Sequence, residues 1–160
     1  MKTLLIVVIL FVAIALLFAY IKLIRLGGAK GTSPWPFYVK KPLSQPEQVL
    51  YHRLVKALPD HIVLAQVQVS RVLGVKKGFS FNEWNNRINR MSYDFVVCSK
   101  DSTVLAAIEL DDKSHESNHR RATDEKKNKA TADAGLRLIR WNVKALPDAT
   151  AIEAQVRGAT

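Results

Sequence analysis

Two strand-like runs in this chain carry acids where strands disfavour them. Asp94 sits between Tyr93 and the apolar run Phe95-Val96-Val97, while Glu109 and Asp111 end the run Val104-Leu105-Ala106-Ala107-Ile108. Asp is depleted from strands and an uncompensated buried charge is expensive, so such acids need a reason. With a side-chain period of two, Glu109 and Asp111 point to one face. If the runs form a hairpin whose turn is the pair Asp101-Ser102, Lys100 falls opposite Thr103 and Asp94 falls opposite Glu109. The side chains of that last pair are then roughly 5 Å apart on one face. Three carboxylates so placed repel one another unless a cation lies among them, and an all-oxygen ligand set favours Mg²⁺ or Mn²⁺ over zinc. The plainer possibility is that acids here only mark strand ends at a solvated rim. Asp101 and Asp112 are read that way, whereas the register and shared face of Asp94, Glu109 and Asp111 set those three apart.

The elements that must hold these acids follow from periodicity. Ser44-Gln45-Pro46-Glu47 is a capping box with Pro in the first turn. Val49, Leu50, Leu54, Val55 and Leu58 recur at helical spacing until Pro59-Asp60 stops the helix. Ile62 to Val69 reads as a strand with Val63, Ala65, Val67 and Val69 on one face. Residues 70–90 are less regular: a short helix around Arg71–Val75, then a polar loop holding Trp84, Asn85, Asn86 and Arg87. Tyr93–Ser99 and Thr103–Leu110 make the hairpin. Asn118 to Ala134 is a polar, basic helix stopped by Gly135, Leu136 to Trp141 a strand, and Asp148 to Arg157 a closing helix. The order α-β-β-β-α-β-α predicts an α/β domain, a small mixed sheet flanked by helices, over residues 43–160.

The 160 residues leave room for one globular domain, and seven Gly and six Pro exclude a collagenous or low-complexity chain. The single cysteine, Cys98, excludes an internal disulfide and a Cys-rich zinc site, and suits a reducing compartment. The formal charge is +10, from 24 Lys and Arg against 14 Asp and Glu. Lys2, Lys22, Arg25 and Lys30 lie in the first thirty residues beside no acid, so a surplus of base also remains on the rest. Such a surplus permits a polyanionic partner without establishing one.

Thr3 to Ile21 holds no charge, Gly or Pro, and at helical rise spans roughly 28 Å, close to a bilayer's hydrocarbon thickness. A cleaved signal peptide would have a shorter apolar region and a small-x-small cleavage site. The run instead ends in Phe18-Ala19-Tyr20-Ile21-Lys22, with Tyr20 and Lys22 placed as an interfacial aromatic and a snorkelling base. Residues 1–26 are therefore expected to be a retained transmembrane anchor. Lys22, Arg25, Lys30, Lys40 and Lys41 follow the span and only Lys2 precedes it, which places the C-terminal domain in the cytoplasm. Residues 27–42, rich in Gly, Pro and base, read as a tether whose lysines lie against anionic headgroups.

Taken in order, these residues resemble the PD-(D/E)XK nuclease superfamily, with its restriction-endonuclease-like α-β-β-β-α-β core. The resemblance rests on Glu47 in the first helix, Tyr93-Asp94-Phe95, and Ile108-Glu109-Leu110-Asp111-Asp112 with His115. It continues through Asp124-x-x-Lys127, Ala134-Gly135 and Leu138-Ile139-Arg140-Trp141, and covers about Pro42 to Pro147. The nearest branch is similar to the very-short-patch repair endonuclease and to a set of bacterial domains of unknown function. The resemblance implies that Asp94 and Glu109 bind metal, with Asp111 beside them and Glu47 helping to hold the metal or its water. Where the superfamily pattern has a Lys two residues after the Glu, this chain has Asp111. The resemblance then implies that Lys127, from the following helix, supplies the basic group, and that His115 contacts a phosphate or assists the attacking water. Carboxylate-held Mg²⁺ or Mn²⁺ lowers the pKa of water and neutralises charge on a phosphodiester, and a Lys or His nearby orients the nucleophile.

Arg120, Arg121, Lys126 and Lys129 give the polar helix a basic face, and Arg87 lies in the loop before Asp94. A face of this kind is usually just solvated, but beside a metal cluster it suits a nucleic-acid backbone, each contact adding salt-sensitive affinity. Trp141, after Arg140 at a strand end, reads as packing. The expectation is a membrane-anchored, metal-dependent hydrolase of DNA, or else RNA, at the bacterial inner membrane. Two rivals stand beside it: a nuclease-fold domain that binds nucleic acid without cutting, kept open by Asp111 in the usual Lys position, and a tethered protein-interaction module.

Overall fold

The computed structural model describes residues 2–27, 34–111 and 118–158. The chain divides into two compact units, Met1–Val39 and Lys40–Thr160. In the first, α1 (Lys2–Gly27) is one continuous helix of 26 residues, and Trp35, Phe37, Tyr38 and Val39 beyond it are exposed. Side chains of α1 are described for Ile6 and residues 8–23. Among the described residues no helix is long and apolar enough to cross a membrane.

The second unit is a four-stranded mixed sheet with helices on both faces. Its elements are α2 (Gln45–Ala57), β1 (Ile62–Gln68), α3 (Val69–Val72), α4 (Phe81–Ile88), β2 (Ser92–Cys98), β3 (Val104–Asp111), α5 (Asn118–Asp133), β4 (Leu138–Asn142) and α6 (Ala149–Arg157). The strands lie in the order β1-β2-β3-β4. The first two pairings are antiparallel and the last is parallel, so α5 is the crossover that parallel neighbours require. This is the α/β architecture that the periodicity predicts.

Each helix starts and stops for a local reason. The Ser44 N–H donates to Glu47 Oε2 at 2.5 Å and opens α2; Asp148 Oδ1 accepts from the Ala151 N–H at 2.8 Å and opens α6. Gly135 closes α5 at φ +70, a conformation other residues adopt only with strain. On one face of the sheet Leu50, Leu54 and Leu58 of the α2 region and Ile152 and Val156 of α6 enclose Phe95, Val97, Ala106, Ile108, Ile139 and Trp141. Trp141 is a packing residue: its ring is buried and its Nε1–H donates to Gln155 Oε1 at 3.0 Å. On the other face Val69, Tyr93, Val96, Cys98 and Ala107 form a second cluster, closed by Val72, Leu73, Ile88 and Met91.

Three local expectations are corrected. The loop expected around Trp84 and Arg87 is the helix α4. Its apolar positions Phe81, Trp84 and Ile88 share one helical face, a signal diluted by the intervening Asn residues. The expected common face of Val63, Ala65, Val67 and Val69 does not form: Val63 packs on the first cluster, Val67 and Val69 on the second. The break falls at Gln66, whose φ of 53 interrupts the extended backbone of β1. The hairpin turn is also longer than two residues. Ser99 N–H donates to Thr103 O at 2.9 Å and Ser102 N–H to Ser99 O at 3.0 Å, with Ser102 at φ 69. That is a three-residue connection ending in a left-handed residue.

A bulge restores the register. Cys98 pairs with Val104 but Val97 pairs with Ala106, so Leu105 is the extra residue. Beyond it the pairs run Val97–Ala106, Val96–Ala107 and Phe95–Ile108, and the ladder ends one step short of Asp94 and Glu109. The expected register holds as far as Phe95–Ile108 although the expected turn does not form, because one added loop residue and one bulged residue cancel.

Gln66 gives a first testable expectation. A non-glycine residue held at positive φ costs about 1–3 kcal/mol. Gln66→Val, β-branched and unable to hydrogen-bond, is expected to lower stability by about 2 kcal/mol, whereas Gln66→Gly should be neutral or mildly stabilising. Thermal melts of the full chain in detergent micelles check both.

Candidate active site

Gln66 and Asp94 face one another across the β1–β2 ladder, between the pairs Ala65–Phe95 and Val67–Tyr93. At this point β1 leaves regular extended geometry, and Gln66 Nε2 donates to Glu47 Oε1 at 2.8 Å. Both Glu47 oxygens are thus engaged, one by the cap of its own helix and one by Gln66. Asp94, next to this kink and partly buried, accepts from the Leu110 N–H through Oδ2 at 2.7 Å. Burial raises its pKa above the ordinary carboxylate value. The Leu110 N–H opposes that rise, the charges of Glu47 and Asp111 add to it, and Lys127 lowers it.

Glu109 is the most confined acid of the group, 7% exposed. Its Oε2 lies 2.7 Å from Lys127 Nζ, while Oε1 is buried with no hydrogen-bond partner among the described residues. Lys127 is also 7% exposed. Its ammonium donates to the Ser92 carbonyl at 3.2 Å and lies 3.9 Å from Asp124 Oδ1. One turn further along α5, Thr131 Oγ1 donates to the Lys127 carbonyl at 2.6 Å and shares a 2.7 Å hydrogen bond with the Tyr93 hydroxyl. These contacts pin α5 over the carboxylates. Burial pushes the Glu109 pKa up to about 7; the Lys127 hydrogen bond and charge hold it down, Asp94 raises it and Arg140 lowers it.

The sign of the resulting pH dependence is fixed by that direction. Between its unfolded value of 4.5 and its folded value of about 7, Glu109 holds a proton in the folded state that the unfolded chain has lost. This contribution to stability is therefore complete below pH 4.5 and is lost as pH rises through about 7. Its size is on the order of 3 kcal/mol. In EDTA, the melting temperature of the full chain is expected to fall between pH 5 and pH 8, and Glu109→Gln should flatten that fall.

Asp111 is committed elsewhere. Arg140, whose backbone pairs with Glu109 across the parallel β3–β4 ladder, reaches Asp111 Oδ1 at 2.6 Å through Nη1 and Asn128 Oδ1 at 2.8 Å through Nη2. The structure thus gathers Asp94, Glu109 and Lys127 at one point, with Glu47 beside Asp94 and Asp111 beside Arg140. Among the described residues no three His, Cys, Asp or Glu side chains converge to hold a metal ion. The oxygens that could hold one are Glu109 Oε1 and the second oxygen of Asp94. That fits Mg²⁺, which keeps several waters and takes only one or two carboxylates from a protein.

His115 lies outside the described residues, and so do the side chains of Arg120 and Arg121. Arg87 on α4 and Lys126 and Lys129 on α5 line one groove. Sequence reasoning missed Gln66 and Asn128. Nothing in the type of either residue marks it; the signal for Gln66 is a backbone angle, and for Asn128 a contact across the crossover. The model of one protein family matches residues 39–159, essentially the whole α/β unit. No curated protein and no solved structure matches the chain.

Proposed function

We propose, for a chain that belongs to the DUF2726 family, described as a protein of unknown function, that the α/β unit is a divalent-metal-dependent nuclease. One observation carries this reading: Glu109 is buried beside Asp94 with Lys127 on one carboxylate oxygen and, among the described residues, no hydrogen-bond partner on the other. A core built only for stability has no use for a carboxylate whose second oxygen is desolvated and unpaired. A metal-binding core does, because a cation takes that oxygen.

In this reading Asp94 and Glu109 hold Mg²⁺ or Mn²⁺, which would lower the pKa of a bound water and neutralise charge on the phosphate. Lys127, fixed on Glu109 and Ser92, supplies the basic group that Asp111 cannot. Its Nζ is placed to donate to the attacking water or to a phosphate oxygen. Arg140 draws Asp111 away, so only two carboxylates face the cation. Glu47 is a positioning residue that holds Gln66 and the kink next to Asp94. Water attacks phosphorus, the ester P–O bond breaks, and the departing oxygen takes up a proton. DNA is the first substrate expected and RNA the second.

The same proposal places α1 as a single-pass anchor in a bacterial inner membrane, with the α/β unit in the cytoplasm. Its support lies in the sequence alone: the uncharged run Thr3–Ile21, with Lys22, Arg25 and Lys30 after it. A second reading, binding without cleavage, is favoured by Asp111 at the usual Lys position. The test is incubation of supercoiled plasmid and single-stranded DNA with the full chain in detergent micelles, in Mg²⁺, Mn²⁺ or EDTA. Cleavage in metal and none in EDTA supports the nuclease. Salt-sensitive binding that survives EDTA, with no cleavage in either metal, replaces it with the second reading.

A further inference from the structure

A groove of about 520 Å³ runs between the segment after α3, the helix α4 and the outer side of α5. Its size is that of a ligand pocket. Leu73, Ile88 and Ala130 line its apolar part. Phe79 and Trp84 form an aromatic wall, edge to face with centroids 6.0 Å apart. They remain 59% and 41% exposed, which leaves aromatic surface in solvent at the groove.

The rim is basic. Lys76, Arg87, Lys126 and Lys129 surround the aromatics, and the Arg87 guanidinium lies 4.2 Å from the centre of the Trp84 ring. Glu83 and Asp133 pair with Arg87 and Lys129 at 2.7 and 3.2 Å, which orients these cations without burying them. Lys126, Lys129, Ala130 and Asp133 recur at helical spacing on the groove side of α5. Lys127, one residue round the helix, turns to Glu109 instead. The groove and the carboxylates therefore flank the same turn of one helix.

We infer that this groove takes unpaired nucleobases from a single strand of nucleic acid, whose phosphates run along the basic rim toward Asp94 and Glu109. Exposed aromatic faces can stack on a base only when that base is not already stacked within a duplex, and a lysine rim matches the charge of the backbone between bases. The rim stays net positive even with Glu83 and Asp133 paired to Arg87 and Lys129, a charge that an apolar protein surface would find costly to cover and a phosphate backbone would match. The inference rests on the nucleic-acid reading above and specifies its substrate as single-stranded or locally opened.

The test is fluorescence anisotropy in EDTA, so that cleavage plays no part. The probes are a labelled 12-nucleotide DNA strand, an RNA strand of the same sequence and the DNA duplex, each added to the full chain in detergent micelles. The better single strand should bind at least about tenfold more tightly than the duplex. Trp84→Ala and Phe79→Ala should each weaken single-strand binding by about ten- to a hundredfold, and Trp84→Phe, which keeps a ring, should largely restore it. Lys126→Ala should flatten the dependence on salt. Equal affinity for strand and duplex, no binding of either, or single-strand affinity unchanged in both aromatic variants would overturn the inference. A full chain that binds the single strand in EDTA through Trp84 and Phe79 yet cuts nothing in Mg²⁺ or Mn²⁺ refutes the nuclease and not the groove, whereas cleavage with single-strand affinity unchanged in both aromatic variants refutes the groove alone.

Discussion

Lys127→Met is expected to lower the stability of the full chain by about 3–5 kcal/mol at pH 8, and by much less at pH 5. The substitution keeps the length and apolar stem of the side chain while removing the ammonium that sits 2.7 Å from Glu109. Glu109 is then a buried acid beside Asp94 with no cation touching it. Lys127 is the leading influence that holds the Glu109 pKa down, so its loss drives that pKa above about 7. At pH 8 the unfolded chain has long since released the proton that the folded variant must keep or lose at a cost. Near pH 5 the folded carboxyl is already neutral in both proteins, and what is missing is the ammonium's hydrogen bonds to Glu109 and Ser92 and its 3.9 Å pair with Asp124. Melts in EDTA at the two pH values read the difference directly. An equal loss at both would mean that packing of the stem, and not the ion pair, is what Lys127 provides.

Asp94→Asn is expected to reduce metal-dependent cleavage on the order of a thousandfold, since a metal ligand contributes several kcal/mol to the transition state. The amide oxygen still accepts from the Leu110 N–H, so the hairpin is preserved. The variant should nevertheless be no less stable than the parent at pH 8. Burial and the nearby charges of Glu47 and Asp111 already disfavour the ionised Asp94, and Asn removes that disfavoured charge. Activity and stability thus move in opposite directions or activity moves alone, as expected of a group retained for chemistry. Initial rates on plasmid DNA, with a melt of each preparation, check both. Parallel loss of rate and stability would make Asp94 a structural residue.

Much of this site is legible in the sequence, because the signals that place it are local. Asp94 and Glu109 stand out as acids next to apolar strand runs, and the alternation of those runs aligns them. The register was nonetheless reached through a two-residue turn that the chain does not make. Leu105 is bulged by one residue and compensates for a loop longer by one, and a bulge inside an apolar run leaves no mark in residue type. Lys127 is tied to Glu109 by a crossover from β3 to α5; the family resemblance implies a basic group at Lys127 but not this pairing. Gln66 was invisible for a different reason: its left-handed backbone reverses the facing of β1, so a valine series that alternates perfectly in sequence packs on two faces. Asp111 was read with the metal-binding acids because it shares a face with Glu109. Arg140 claims it from the neighbouring parallel strand, a contact across the sheet that spacing along one strand does not reveal. In α4 the reverse holds, since a helix of eight residues rich in Asn hides its apolar stripe.

The central claim is that Glu109 and Asp94 offer two oxygens to one divalent cation. It is tested most directly by titrating Mn²⁺ into the full chain in detergent micelles and following free Mn²⁺ by electron paramagnetic resonance at pH 6 and pH 8. The account predicts a single site that binds more tightly at pH 8, because Glu109 must lose its proton to solvent before its oxygen can hold the cation. It also predicts that this site disappears in both Glu109→Gln and Asp94→Asn. No binding at millimolar Mn²⁺, or a site that survives both substitutions, would contradict it.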